Sequence, residues 1–309
     1  MTPIPVIDWQ MMRDFALLAP HIKPTTGNIF FVHATNGNAA NTGISSTAPM
    51  ATIDQAINLC TANHGDIVVA MPGHTESLTT ATQLVMDVAG VSIIGLGQGL
   101  TRPVITFSAV GANIPVSAAN CRISNIVFSA GIASVVSAIT VTGLQFELDN
   151  CKFWFGATTF SFVTNVTATV VGANYLYVHD NNFVTEIGSG TSVNGVLMTA
   201  LVQPRILHNR FYGTWSGAPI IVATTLCSQV DIGDNLVFNS DVSQYNGIDL
   251  GAVNTTGNVY RNYVTAMYAS AHVTGVSRLA TATWANNFQA NVVSLRAASV
   301  GFPATSVTQ

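Results

Sequence analysis

The residues of this chain whose types and spacing could do chemistry are densest in "FELDNCKFWFG", residues 146–156, where Glu147, Asp149, Cys151 and Lys152 stand almost side by side. Carboxylates spaced i, i+2 project from the same side of a strand, so Glu147 and Asp149 could form half of a glycosidase site. A second acid pair, Asp231 and Asp234, lies three residues apart. His74 in "PGHT" and His208 with Arg210 in "LHNRF" are the other titratable candidates, and each reads better as a turn or rim residue. No HExxH, CxxC, nucleophile elbow, P-loop or dinucleotide fingerprint occurs. Hydrolysis of a polysaccharide needs paired carboxylates, and elimination needs a calcium-binding acid cluster with a basic residue. Almost all acids here come singly, so no catalytic residue, cofactor or metal site is assigned, and the chain is read as a non-enzyme.

The elements that would position these residues follow from an unusual composition. Hydrophobic residues make up 49% of the 309 and charged residues only 8%, where soluble domains carry roughly 25%. The mean hydropathy is +0.42. Even so, apolar stretches such as "IASVVSAITVTGL" (132–144) are interrupted by Ser, Thr or Gly and fall short of the roughly 20 residues of a spanning helix. No membrane contact is expected. A net charge of −4 with ten dispersed Lys and Arg gives no basic patch for nucleic acid. Cys60, Cys121, Cys151 and Cys227 follow no metal or disulfide spacing. The start "MTPIPVIDWQ" has no basic region followed by an apolar one, so no secretory signal is expected and the cysteines are read as reduced core thiols.

Residues 1–27 form a separate arm. Asp8 is placed to cap a short helix through about Leu18, and Pro20 and Pro24 end it. "WQMMRDFALL" is apolar around most of its circumference, so it must be covered by the chain's own body or by a partner. Trp9, Met12, Phe15 and Leu18 are its candidate partner-binding residues. Residues 28–309 are read as one domain. "NIFFVHA" is a strand, "TNGNAANTGISSTAP" is turn-forming, and "ATIDQAINLCTAN" is a helix with Thr52 as N-cap and Ile53, Ala56, Ile57 and Cys60 on one face. Ile67 to Ala70 and "VSIIGLGQG" are further strands.

From there the periodicity lies between copies. "CRISNIVF", "LDNCKF", "VHDNNF", "ILHNRF", "GDNLVF", "VYRNY" and "WANNF" end at Phe128, Phe153, Phe183, Phe211, Phe238, Tyr263 and Phe288, at intervals of 25, 30, 28, 27, 25 and 25 residues. Five before the aromatic the first four copies carry Ile123, Leu148, Val178 and Ile206; three before it they carry Asn125, Asn150, Asp180 and His208. The fifth copy keeps this pattern only if shifted to Val237, and the last two hold it loosely. Such repeats lack room for helices and predict an all-β right-handed parallel β-helix of three-strand coils. In it the aromatics stack inside, and the turn Asn serves both as left-handed residue and as amide ladder. Glu147 and Asp149 should then face outward in ladders of Arg122, Glu147 and Tyr177 and of Ser124, Asp149 and His179.

The segment 29–77, with its Asn/Gly loop ending "NTG", the helix start "PMATIDQAI" and "GDIVVAMPGHTES", resembles the lead-in of right-handed β-helix proteins of the pectate-lyase-like superfamily. Close variants look like those of bacteriophage virion proteins. Relatives often carry Asp in the "NGNAANTG" loop, which here has no acid, and the "NTD", "DD", "GHG" and "RIK" motifs of the polygalacturonase-like family are missing. The resemblance implies a phage structural protein, a homotrimeric capsid decoration or cement that binds the major capsid protein on the virion exterior after synthesis in the host cytoplasm. The alternative is a tail spike that binds or cleaves polysaccharide, with Trp154, Trp215 and Trp284 as the sugar platforms.

Overall fold

From residue 122 onward each coil opens with a short strand whose middle residue is apolar, turns within two residues, and continues as a second strand. Alternation sends the apolar residue inward and its neighbours outward. The two turn residues do different work. The first takes a left-handed backbone at Asn125, Asn150, Asp180, His208, Asp234, Arg261 and Asn286, with φ between 49° and 58°. The second, at Ile126, Cys151, Asn181, Asn209, Asn235, Asn262 and Asn287, is buried. A left-handed non-glycine residue costs about 1–2 kcal/mol, least for Asn and Asp, and in the last five of these turns the buried neighbour is an Asn that offsets that cost.

The offset comes from an amide ladder. The Asn235 amide nitrogen donates to Asn262 Oδ1 at 2.9 Å and to the Ile206 carbonyl at 2.8 Å. Its Oδ1 accepts from the Asn209 backbone N–H at 2.9 Å. Asn181, Asn209 and Asn262 repeat this arrangement. The sequence reading gave both roles to one Asn; the structure divides them between adjacent residues.

The computed structural model describes residues 25–187, 192–241, 247–251, 254–266, 276–277, 282–291 and 305–306. Trp9, Met12, Phe15 and Leu18 lie outside the described residues. The described strands form a parallel β-solenoid of three sheets. Sheet 1 has ten parallel strands, from Ile29–Val32 through Glu147–Asp149 to Thr283–Ala285. Sheet 2 has nine parallel strands, from Thr75–Leu78 through Lys152–Phe155 to Phe288–Asn291, and Thr305–Ser306 adds a tenth, antiparallel, at its end. Sheet 3 has seven, from Ile114–Val116 to Val276–Ser277. The predicted helix is present as Ile53–Ile57, and Thr52 Oγ1 accepts from the Gln55 N–H at 3.3 Å. Ile53, Ala56 and Ile57 are buried by packing on the first strands of sheet 1. Among the described residues no helix is long and apolar enough to cross a membrane.

One interior column carries a stack of rings. Phe153 and Phe183 lie 4.7 Å apart at 10°, and Phe183 and Phe211 lie 4.5 Å apart at 2°. The column then passes to Val237 and Val264, not to the next aromatics. This corrects the expected interior placing of Phe238, Tyr263 and Phe288. The inner residue falls two after the ladder Asn, at Phe183, Phe211, Val237 and Val264. Phe238 is one residue too late, and Tyr263 and Phe288 are one too early. A one-residue offset moves a side chain to the other face of the sheet, so all three sit on the outside, Tyr263 and Phe288 more than 40% exposed.

Candidate functional site

On the outer side of sheet 1, Glu147 pairs in register with Arg122 and Tyr177, and Asp149 with Ser124 and His179. Both expected ladders are present. The acid pair faces away from the core as the alternation required, yet Asp149 is only 1% exposed. The reason is Arg122, which reaches diagonally from one ladder to the other. Its Nε donates to Asp149 Oδ1 at 2.7 Å and its Nη2 to Oδ2 at 2.8 Å. Ser124 Oγ and the Asn150 amide also donate to Oδ2, at 2.8 and 2.9 Å. Bidentate Arg–carboxylate pairs of this geometry are the strong class of charged hydrogen bond. Burial alone would lower the Arg122 pKa, but the Asp149 hydrogen bonds and the charges of Asp149 and Glu147 outweigh it and hold the pKa up.

Glu147 is the more accessible acid. It lies 3.3 Å from Arg122 Nε and 3.5 Å from His179 Nε2. His179 Nδ1 meets Asp180 Oδ2 at 2.7 Å, and its ring stacks on Tyr177 at 3.9 Å. Burial alone would depress the His179 pKa, but hydrogen bonds to Glu147 and Asp180 prevail and raise it. The Arg205 guanidinium lies 4.4 Å over the Tyr177 ring and meets Asp231 at 3.2 Å. The row is therefore a chain of partnered charges passed from coil to coil.

Ligand atoms of Glu147, Asp149 and His179 lie within 4.8 Å of one another, a grouping able to hold a cation. Both Asp149 oxygens already accept from Arg122, whose positive charge stands where a metal would add its own. A cation would have to displace the guanidinium, so the donor set fits an arginine bridge better than a metal. Of the pair, Asp149 is buried with donors on both oxygens, and Glu147 is the accessible carboxylate.

The other candidates are dispersed. Asp234 occupies a left-handed turn and takes both Arg261 Nε and Nη2, at 2.7 and 2.6 Å; these bonds hold its carboxyl below the usual range. His74 is buried near sheet 2, where Nδ1 accepts from the Ala34 N–H at 3.0 Å and Nε2 lies 3.3 Å from Glu76. His208 is a turn residue and Arg210 an outward residue of sheet 2. Trp215 is fully buried against Phe211, which removes it as a sugar platform. Trp154 is exposed beneath the Lys152 ammonium, 3.9 Å from its ring centre; the Trp284 side chain lies outside the described ones. Burial pushes the thiols of Cys60 and Cys151 up to about 12 and those of Cys121 and Cys227 up to about 11. All four are free. The hub, Arg122, stood in the predicted ladder, but its diagonal reach had no signature in the spacing.

No family model matches the chain, and no curated protein matches it. Among solved structures it is similar to a rhamnogalacturonan lyase, at TM-score 0.44 and 13% identity over 80% of this chain and 75% of that one. The fold places the chain among parallel β-solenoids.

Proposed function

We propose that this chain is a non-enzymatic structural protein of a bacteriophage particle, a stiff β-solenoid that decorates or cements the capsid as a homotrimer. One observation carries the non-enzymatic part. Asp149, the more buried member of the acid pair best spaced for chemistry, accepts from Arg122, Ser124 and Asn150 within its own coil and its neighbours. Its charge ties coils together. The phage assignment rests on the lead-in segment 29–77, and the arm carrying Trp9, Met12, Phe15 and Leu18 is the proposed capsid anchor. In this reading the chain is made in the host cytoplasm and assembles on the outside of the head.

The test is cosedimentation of the purified chain with empty heads of the phage that encodes it. Saturable binding that is lost on deleting residues 1–27, with no loss of viscosity in host surface polysaccharide, is the expected result. Depolymerisation abolished by Glu147→Gln or Asp149→Asn would overturn it in favour of a polysaccharide-cleaving spike.

A further inference from the structure

Sheet 1 changes character along its length. From Arg122 upward its outer positions are largely polar: Arg122 and Ser124, Glu147 and Asp149, Tyr177 and His179. Its first three strands, Ile29–Val32, Ile67–Ala70 and Ser92–Gly95, carry apolar residues on both sides. Phe30, Val32, Val68, Ala70 and Ile93 point inward and belong to the main core. Ile67, Val69 and Ile94 point outward and form a separate cluster with Ile29, Phe31 and Leu96. In register, Phe31, Val69 and Ile94 stand in the column that continues as Ser124 and Asp149.

The outward trio is not exposed. Ile67, Val69 and Ile94 are 3%, 3% and 1% exposed. An apolar side chain on the outer side of a coil reaches that level only beneath a further layer. Among the described residues, no buried or half-buried apolar side chain outside these six packs on the cluster.

The chain's entry point identifies the covering segment. Thr25 Oγ1 donates to the Gly65 carbonyl, and the Asn28 N–H donates to Asp66 Oδ1 at 2.6 Å. A Cβ at Gly27 would stand 2.5 Å from the Gly65 carbonyl carbon, so residues 25–28 lie tight against 65–66, directly before Ile67. Residues 1–24 therefore join the fold at the rim of the apolar patch. The other stretches outside the described residues belong to coils three or more strands above Ser92–Gly95, and each is too short to come down and return. Residues 188–191 would have to cover about 14 Å, and 292–304 about 34 Å. A helix is about 10–12 Å wide, and three strands at ~4.8 Å spacing offer about that width. The run "WQMMRDFALL" brings the apolar surface that such a patch accepts.

We infer that residues 1–24 pack over the outer face of the first three strands of sheet 1 in the same copy of the chain, as a strap across Ile67, Val69 and Ile94. This contact goes beyond the capsid assignment and does not depend on it; an arm apolar around most of its circumference keeps a second side for the head. The test is trypsin cleavage after Arg13 in the full-length chain, read by mass spectrometry, with far-UV circular dichroism to verify folding. Wild type is expected to resist at every protein concentration. Val69→Asp/Ile94→Ser puts at the patch the residue types that Asp149 and Ser124 supply higher in the same column. It is expected to be cut about tenfold faster or more, because cleavage follows the population of the released arm. Equal rates in the two proteins would overturn the strap, as would rapid cleavage of wild type. Resistance that fades on dilution would overturn it in favour of the arm of a second copy. A second measurement, benzoylphenylalanine in place of Phe15, holds where the double variant does not fold. Photo-crosslinks within one chain to residues 66–96 are expected, and crosslinks confined to other residues would refute the strap.

Discussion

Replacing Asn209 with Ala should cost about 3–5 kcal/mol. Its amide nitrogen donates to the Val178 and Leu207 carbonyls at 2.8 and 3.0 Å and to Asn235 Oδ1 at 3.2 Å. Its Oδ1 accepts from the Asn181 N–H at 3.0 Å and from the Asn181 amide at 3.1 Å. A hydrogen bond contributes about 1 kcal/mol net, but a buried donor stripped of its acceptor costs about 1–3 kcal/mol. The substitution leaves the Asn181 N–H in that state and removes side-chain donors from two carbonyls. The Val178 and Ile206 columns continue to pack, which keeps the loss below the simple sum of all five bonds. Asn258, exposed on sheet 1, is the control, and its Ala variant should fall within about 0.5 kcal/mol of wild type. Urea unfolding followed by tryptophan fluorescence and circular dichroism reads both, through the shift in midpoint at constant slope. An Asn209→Ala loss below about 1 kcal/mol would mean that the stacked strands, and not the amide ladder, hold the turn edge together.

Three other outcomes follow from the same geometry. Asp149→Ala takes the bidentate carboxylate away from the buried Arg122 guanidinium, so it should lose about 3 kcal/mol; Glu147→Gln, at a more exposed site, should lose under about 1 kcal/mol; equal losses in urea midpoints would sink the assignment of Asp149 as the anchored partner. The His179 pKa is raised in the folded state, so its contribution is fully present below its unfolded value of about 6.5 and is lost as pH rises through the folded value. The gap in midpoint between wild type and His179→Gln should therefore narrow toward alkaline pH, and a gap that does not change with pH would contradict the ion-paired geometry. Cys121, Cys151 and Cys227, buried with raised pKa values, should resist Ellman's reagent at pH 8 until the chain is unfolded; rapid native labelling of any of the three would be incompatible with this core.

Much of the architecture was legible because a solenoid writes its geometry along the chain. Ile123, Leu148, Val178 and Ile206 recur at one coil position, and their neighbours Arg122, Glu147 and Tyr177 could be aligned from spacing alone. The helix at 53–57 and its Thr52 cap were readable for the same local reason: a side-chain acceptor and an apolar face lie within a few residues. Phe238, Tyr263 and Phe288 misled because the eye aligns rings, whereas the chain aligns its two-residue turn. The ladder Asn at 235, 262 and 287 sets which residue points inward, and a bulky ring one position away goes outside.

Sequence alone thus determined the repeat, the parallel β-coil and the register of the acid row, since all three follow from periodic residue types and strand alternation. Tertiary structure decided what the acids are for. Whether Asp149 is an open carboxylate or a bridged one depends on Arg122, 27 positions away in sequence and one strand away in space, reaching across the row to a neighbour that is not its register partner. Strand spacing tells which side chains are adjacent; only the folded coils show which of them a long, flexible guanidinium meets.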